Sequence, residues 1–175
     1  FHISDKKIIL NTKIAKKNFN INQLKYNFNT KILNKVLQNT NNYKFIGTSI
    51  NSKENIKKNL FIAIKGKKHD GHNFVEKALK KEANYCAVSK KLNISAHKKI
   101  IKVNNTFNFL NKLAVEKRKA TKATIIAVTG SCGKTSLKTL LGTLLNKYNN
   151  TFFSPKSYNN HYGVPISLSN LEANL

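Results

Sequence analysis

The chain reads as α/β, a small amino-terminal α/β unit followed by the start of a P-loop parallel-sheet ATPase domain. Three observations predict this. Short apolar runs at Leu60–Ile64, Tyr85–Val88 and Ile100–Val103 alternate with stretches whose apolar residues recur at helical spacing. A further β-branched run, Thr124–Val128, leads into Thr129-Gly130-Ser131-Cys132-Gly133-Lys134-Thr135-Ser136, the composition of a phosphate-binding loop. Leu137, Leu140, Leu141, Leu144 and Leu145 then fall on a helical stripe, which sets the loop at a strand-to-helix junction.

The elements follow in order. Residues 1–29 are Asn- and Lys-rich and weakly patterned, with one strand-like run at Lys7–Leu10, and read as a linker or the tail of an upstream unit. Ile32, Leu33, Val36 and Leu37 predict a helix over Thr30–Gln38, after which Tyr43–Thr48 turns extended. Leu60–Ile64 is a buried strand and Lys65–His72 a loop. Phe74, Val75, Ala78 and Leu79 make an amphipathic helix ahead of the strand Tyr85–Val88. After the strand Ile100–Val103, Asn105 or Thr106 caps a helix with Phe107, Leu110, Leu113 and Ala114 on its inner face. A second domain is expected from near Thr121, so that residues 30–119 form one unit and 120–175 the start of another, with a further strand at Thr151–Ser154.

Composition bounds the function. With 32 Lys and Arg against 7 acids, the formal charge of +25 invites a nucleic-acid reading. Arg118 is the lone arginine, however, and the lysines are scattered among Asn and Ile without a stripe of stacking aromatics. Base and phosphate recognition favours the guanidinium fork, so the lysines are read as solvated faces and no nucleic-acid partner is expected. No apolar run approaches the roughly 18–20 residues of a membrane helix. Cys86 lies in a strand-like run and Cys132 in the phosphate loop, neither with a metal-ligand or CxxC partner; a cytoplasmic location is expected. The chain opens on Phe1 and closes at Leu175 without a cap signal, and is read as a fragment of something longer.

The loop has a physical logic. Glycines let successive N–H groups turn inward, and the following helix N-terminus adds about half a positive charge. Lys134 is placed to reach the β- and γ-phosphates and the Thr135 hydroxyl to ligate Mg²⁺, so ATP and Mg²⁺ are the expected cofactors. Gly130, Ser131, Cys132, Gly133, Lys134, Thr135 and Ser136 are the candidate nucleotide-binding residues, with Lys134 catalytic. The usual form of the motif would put its first glycine at Val128; here it comes at Gly130. No Ser-His-Asp set or metal-ligand cluster stands out, and the scarcity of acids speaks against paired-carboxylate catalysis.

Three more stretches occur in one order with this loop: Gly47–Lys53, Lys65–Phe74, and Ser157-Tyr158-Asn159-Asn160-His161-Tyr162-Gly163-Val164-Pro165. Together they resemble the amino-terminal part of a Mur ligase, over about Thr30–Leu175. The asparagine pair followed by Gly-Val-Pro is similar to the branch of the family that joins D-alanyl-D-alanine to a UDP-N-acetylmuramoyl-tripeptide. The resemblance implies a first domain for the UDP end of the substrate, a central ATPase domain, and amide formation through an acyl phosphate. It implies UDP-N-acetylmuramoyl-peptide and D-alanyl-D-alanine as partners, a role in cell-wall synthesis, no membrane insertion and a monomer. Another ligase of this superfamily, of the third-residue-adding or folylpolyglutamate type, is the alternative, and a basic nucleic-acid-binding ATPase a more remote one.

By the same resemblance Asn51, Ser52 and Lys53 fall where the family's Asp-Ser-Arg triplet meets the uridine end, the lysine offering only a point charge in place of a fork. An ordinary Asx turn is the local alternative. Asp70, Gly71 and His72 match a family turn read here as structural, with Asp70 or His72 capping the next helix, or else touching substrate. Asn159 and Asn160 are expected beside the substrate as neutral donors and acceptors, or else in a polar loop; His161 is expected to face solvent. The family's second Mg²⁺-binding acid, carbamylated lysine and amine-binding domain would lie past Leu175, so these residues alone are expected to be inactive. Phe1–Lys7 resembles the closing residues of the sister ligase that adds the third peptide residue, which would make the parent a fusion.

Overall fold

The computed structural model describes residues 21–54, 56–94, 97–154 and 161–171. Four parallel strands, β1 (Thr48–Ser49), β2 (Leu60–Ile62), β3 (Tyr85–Val88) and β4 (Ile100–Lys102), lie side by side in chain order. The pairing is Thr48 with Leu60, Phe61 with Cys86, and Ala87 with Ile101. Helices α1 (Ile21–Leu37), α2 (Val75–Lys80) and α3 (Thr106–Ala120) belong to this unit; α4 (Lys134–Leu145) and α5 (Gly163–Ser169) follow.

Alternation along β2 divides the core. Leu60 and Ile62 face Ile32, Leu33, Phe45, Phe109, Leu110, Leu113 and Ile166 on one side of the sheet. Phe61 and Ala63 face Ile56, Val75, Ala78 and Cys86 on the other. A parallel strand covered on both faces must be apolar at every position, which is why the run Leu60–Ile64 carried so clear a signal. Burial pushes the Cys86 thiol up to about 12, so it stays protonated and inert as a small core residue.

Several elements differ from expectation, each for a tertiary reason. α1 begins at Ile21, nine positions before Thr30. Its polar first half is held by contacts no local pattern encodes: Asn29 is buried, donates to Phe45 O at 2.7 Å and accepts from Lys117 Nζ. Lys117 itself departs from the solvated-face reading. It is 3% exposed, donates also to Leu171 O at 3.1 Å, and sits over the Phe28 ring. On α3 the cap is Asn105, whose side chain accepts from Asn108 N–H, and the inner face includes Phe109 and not Phe107. Phe107 instead stands edge-on to His161 and Tyr162.

Residues 124–128 and 151–154 carry no strand hydrogen bonds among the described residues. Ile125 and Ile126 are 45% and 58% exposed, and Leu137, Leu140 and Leu144 of α4 are exposed as well. A strand exists only through a paired neighbour, and within the described residues these runs have none. What α4 does hold is Phe153: a Cβ on Gly142 would lie 2.3 Å from its ring, so the missing side chain lets the aromatic lie against the helix.

Candidate functional site

The phosphate-loop residues form one continuous turn entering α4. Gly130 (φ 152°) and Gly133 (φ 74°) both take positive φ, a conformation open to glycine at little cost. Gly133 is the N-cap of α4 and its carbonyl takes the first helical bond, from Leu137 N–H at 2.9 Å. The first turn carries no acidic side chain, so the positive end of the helix is left for an anion. Lys134 Nζ folds back on the loop, donating to Gly130 O and, at 3.0 Å, to Ser131 O. Exchanging those carbonyls for phosphate oxygens needs only a rotation of its flexible stem. Ser131, Cys132, Thr135 and Ser136 are exposed on the same turn.

This geometry suits a nucleotide's phosphates. For Mg²⁺ the protein's share is small: among the described residues there is no group of three His, Cys, Asp or Glu that could hold a metal. Mg²⁺ is commonly held by one or two protein oxygens with phosphates and water, a pattern the exposed Thr135 hydroxyl fits.

Asn51, Ser52 and Lys53 sit together just past β1, where parallel α/β sheets place their ligands, at the carboxyl ends of strands. Ser49 Oγ accepts Asn51 N–H at 3.1 Å, and Asn51 Oδ1 accepts Lys53 N–H at 3.0 Å, an Asx turn. Asn51 Nδ2 donates to Glu54 Oε1 at 3.3 Å, so this side chain is engaged in shaping the turn. Ser52 is buried and Lys53 exposed. Lys81, at the end of α2, donates to Lys53 O at 3.0 Å and supports the turn from below. A shallow depression of about 460 Å³ beside it is lined by Lys53, Lys57, Lys80 and Lys81, with Glu82 paired to Lys57 at 2.6 Å. Asn159 and Asn160 lie outside the described residues, as does the run Phe1–Leu10. His161, which flanks the asparagine pair, is exposed.

A constellation missed in the sequence lies at the ends of β2 and β3. Asp70 Oδ1 accepts His72 N–H at 3.0 Å and stands 2.6 Å from His72 Nδ1, while His72 Nε2 is 3.2 Å from Ser89 Oγ. These are the contacts of a Ser-His-Asp set, brought together by strand pairing across 17 positions. It is closed to catalysis, because Ser89 N–H donates to Nε2 at 3.0 Å and occupies the lone pair a general base would use. That bond puts the imidazole proton on Nδ1, facing Asp70. The unit is a staple: Asp70 caps the short turn Gly71–Phe74 rather than the helix α2 behind it, whose own N-cap makes no side-chain bond, and His72, buried, ties that turn to β3. Gly71 is needed for close approach, since a Cβ there would lie 2.7 Å from both Ile64 N and Ile64 O.

The ammonium of Lys90, and then His72, hold the Asp70 carboxyl well below the usual carboxylate range. A folded value below the unfolded one stabilises above the unfolded pKa, roughly 4, and the contribution is lost as pH falls further. Acid unfolding followed by far-UV circular dichroism should therefore show stability falling from about pH 4 downward. Asp70→Asn should be less stable at neutral pH and show a shallower acid decline.

The glycine-cornered loop, the turn after β1 and the parallel sheet together define an α/β scaffold of the phosphate-loop type. The chain belongs to the Mur ligase family, and residues 43–128 match the profile described as "Mur ligase family, catalytic domain". It is 44% identical over 121 residues to the UDP-N-acetylmuramoyl-tripeptide–D-alanyl-D-alanine ligase of Rickettsia prowazekii (strain Madrid E), covering 69% of this chain and 27% of that protein. The ligase of the same name from Escherichia coli (strain K12) is 36% identical over 112 residues, 64% of this chain and 24% of that one. Among solved structures, MurF from Acinetobacter baumannii superposes with a TM-score of 0.67 at 25% identity, over 83% of this chain and 33% of that chain. A Thermotoga maritima MurF ligase in complex with ADP gives 0.54 at 37% identity, over 71% and 29%. The chain thus spans about a quarter of the length of the curated relatives it matches.

Proposed function

We propose that these residues are the amino-terminal part of an ATP-dependent ligase that joins D-alanyl-D-alanine to UDP-N-acetylmuramoyl-tripeptide in peptidoglycan synthesis, in the cytoplasm. The observation that carries the reading is the glycine-cornered turn Gly130–Ser136 at the bare N-terminus of α4, in a chain whose curated relatives bear that ligase's name. In this reading residues 30–119 hold the UDP end of the substrate, and residues 120–175 begin the ATP-binding domain.

The division of labour follows from the chemistry. The γ-phosphoryl of ATP passes to the tripeptide carboxylate, and the amine of the dipeptide then displaces phosphate from the acyl phosphate. The protein's task is to position the reactants and neutralise charge. The N–H groups of the loop and the α4 terminus cradle phosphate, Lys134 neutralises the transferred group, and Thr135 offers its hydroxyl to Mg²⁺, which when bound spreads charge over the phosphate oxygens. The Asn51–Lys53 turn meets the uridine diphosphate, Lys53 as a point charge, and Asn159 and Asn160 add neutral hydrogen bonds to substrate.

The test is turnover by the full-length parent protein, followed as phosphate release. Release should require ATP, Mg²⁺, UDP-N-acetylmuramoyl-tripeptide and D-alanyl-D-alanine together. Release that proceeds equally with a single amino acid as acceptor, or with folate in place of the nucleotide sugar, would move the chain to another ligase of the superfamily.

A further inference from the structure

α5 is separated from β1 by more than a hundred positions, yet it closes that strand's free edge. β1 is an outer strand, paired with β2 on one side. On its other side the Asn170 amide accepts Thr48 N–H at 2.8 Å and donates to Thr48 O at 3.0 Å, the two bonds that one residue of a neighbouring strand would make. Asn170 Nδ2 donates as well to Ile166 O at 2.9 Å, which fixes the amide's orientation: a flipped group would set its oxygen against two carbonyls. Ser169 Oγ gives its proton to Ile166 O at 2.9 Å, so the 2.5 Å contact with Thr48 Oγ1 is a bond that Thr48 donates. Both hydroxyls are buried. The clamp also accounts for the glycine ahead of β1, because a Cβ on Gly47 would stand 2.9 Å from Asn170 Oδ1.

The position of the clamp gives it a consequence beyond stability. Thr48 is three residues ahead of the Asn51–Lys53 turn, and Ser49 Oγ already braces that turn through Asn51 N–H. Ile166 is seated in the core of the first unit, and Lys117 of α3 holds Leu171 O just past α5, so the helix is fastened to that unit by its buried face and by the residues that follow it. The Asn170 amide therefore fastens β1, and with it the start of the Asn51–Lys53 turn, to α5.

We infer that Asn170 is a positioning residue, which holds β1 and thereby keeps the Asn51–Lys53 turn in the geometry that meets the uridine end of the substrate. The inference rests on the function proposed above. A ligand is held less tightly when the turn that meets it drifts, with no contact removed. A tenfold weakening of the substrate's hold on the turn corresponds to about 1.4 kcal/mol. Nucleotide affinity should be spared, because the phosphate loop is shaped by Gly130, Gly133 and α4 themselves.

The experiment is steady-state kinetics of the full-length ligase, with KM measured separately for UDP-N-acetylmuramoyl-tripeptide and for ATP. Asn170→Ala should raise the first about tenfold and leave the second within about twofold. Asn170→Asp should behave like it, since a second oxygen then faces the carbonyls of Thr48 and Ile166. Thr48→Val keeps both backbone bonds and should change neither KM. If Asn170→Ala fails to fold, Gly47→Ala decides, because it displaces the amide without removing a bonding group. An unchanged KM for the nucleotide sugar alongside a lower melting temperature would reduce Asn170 to a purely structural contact, and an equal rise in both constants would overturn the inference too. If the unaltered ligase shows no turnover with the nucleotide sugar, the function reading itself fails and this inference falls with it.

Discussion

Lys134→Ala should lower turnover of the full-length protein by on the order of a thousandfold while leaving its thermal unfolding unchanged. The charge that develops on a transferred phosphoryl group has to be met at the moment of reaction by groups already in place. Lys134 is the cation that α4 carries at the loop, on the first helical residue after the left-handed Gly133. Its removal leaves the backbone cradle intact, so ADP should still bind, more weakly, and the loss should fall mainly on kcat. Stability should hold because the ammonium's partners, Gly130 O and Ser131 O, are loop carbonyls that water can serve equally well. Phosphate release by stopped assay and ADP binding by calorimetry would check the two halves of the expectation. Turnover near the unaltered rate would remove Lys134 from the chemistry. Thr135→Ala should act differently, weakening nucleotide binding in the presence of Mg²⁺ and changing it little in its absence.

Phe45→Ala should cost the fold about 3–5 kcal/mol, a large share of the 5–15 kcal/mol typical of a domain. Phe45 is fully buried among Ile32, Leu33, Leu60 and Leu113, where helices α1 and α3 meet the sheet. Truncation opens a cavity between layers joined by rigid elements, which cannot collapse into it. The bond from the Asn29 side-chain Nδ2 to Phe45 O would remain, so the loss falls on packing alone. In urea the midpoint of the transition assigned to this unit should fall with its slope unchanged, and Phe45→Leu should recover most of the loss. A midpoint within experimental error of the unaltered protein's would mean that this core is not where the unit's stability lies.

The parts of the molecule readable in advance are those whose cause is local. The strands Leu60–Ile62 and Tyr85–Val88 announce themselves because both faces are covered, so every position must be apolar. The Asn105 cap, the Asp70 cap and the Asx turn at Asn51 are short-range bonds between residues two or three apart, and the side-chain chemistry alone proposes them. The phosphate loop is of the same kind, its glycines and its lysine lying within five positions of one another.

What the order of residues left open depends on partners distant along the chain. Nothing in the neighbourhood of Asn29 or Lys117 says that these polar groups are buried against each other, 88 positions apart. The triplet Asp70, His72 and Ser89 becomes a staple only when β2 and β3 lie side by side. The expected strands at 124–128 and 151–154 show the converse, since alternation and β-branching describe a willingness to pair and pairing needs a neighbour. Sequence by itself determined the α/β class, the glycine-cornered turn that opens α4 and the Mur ligase resemblance, because each is written in residues adjacent in the chain. Tertiary structure alone decided that α5 completes the first unit and that Asn170 closes the edge of β1, because hydrogen bonds across 122 positions become visible only when the chain is folded.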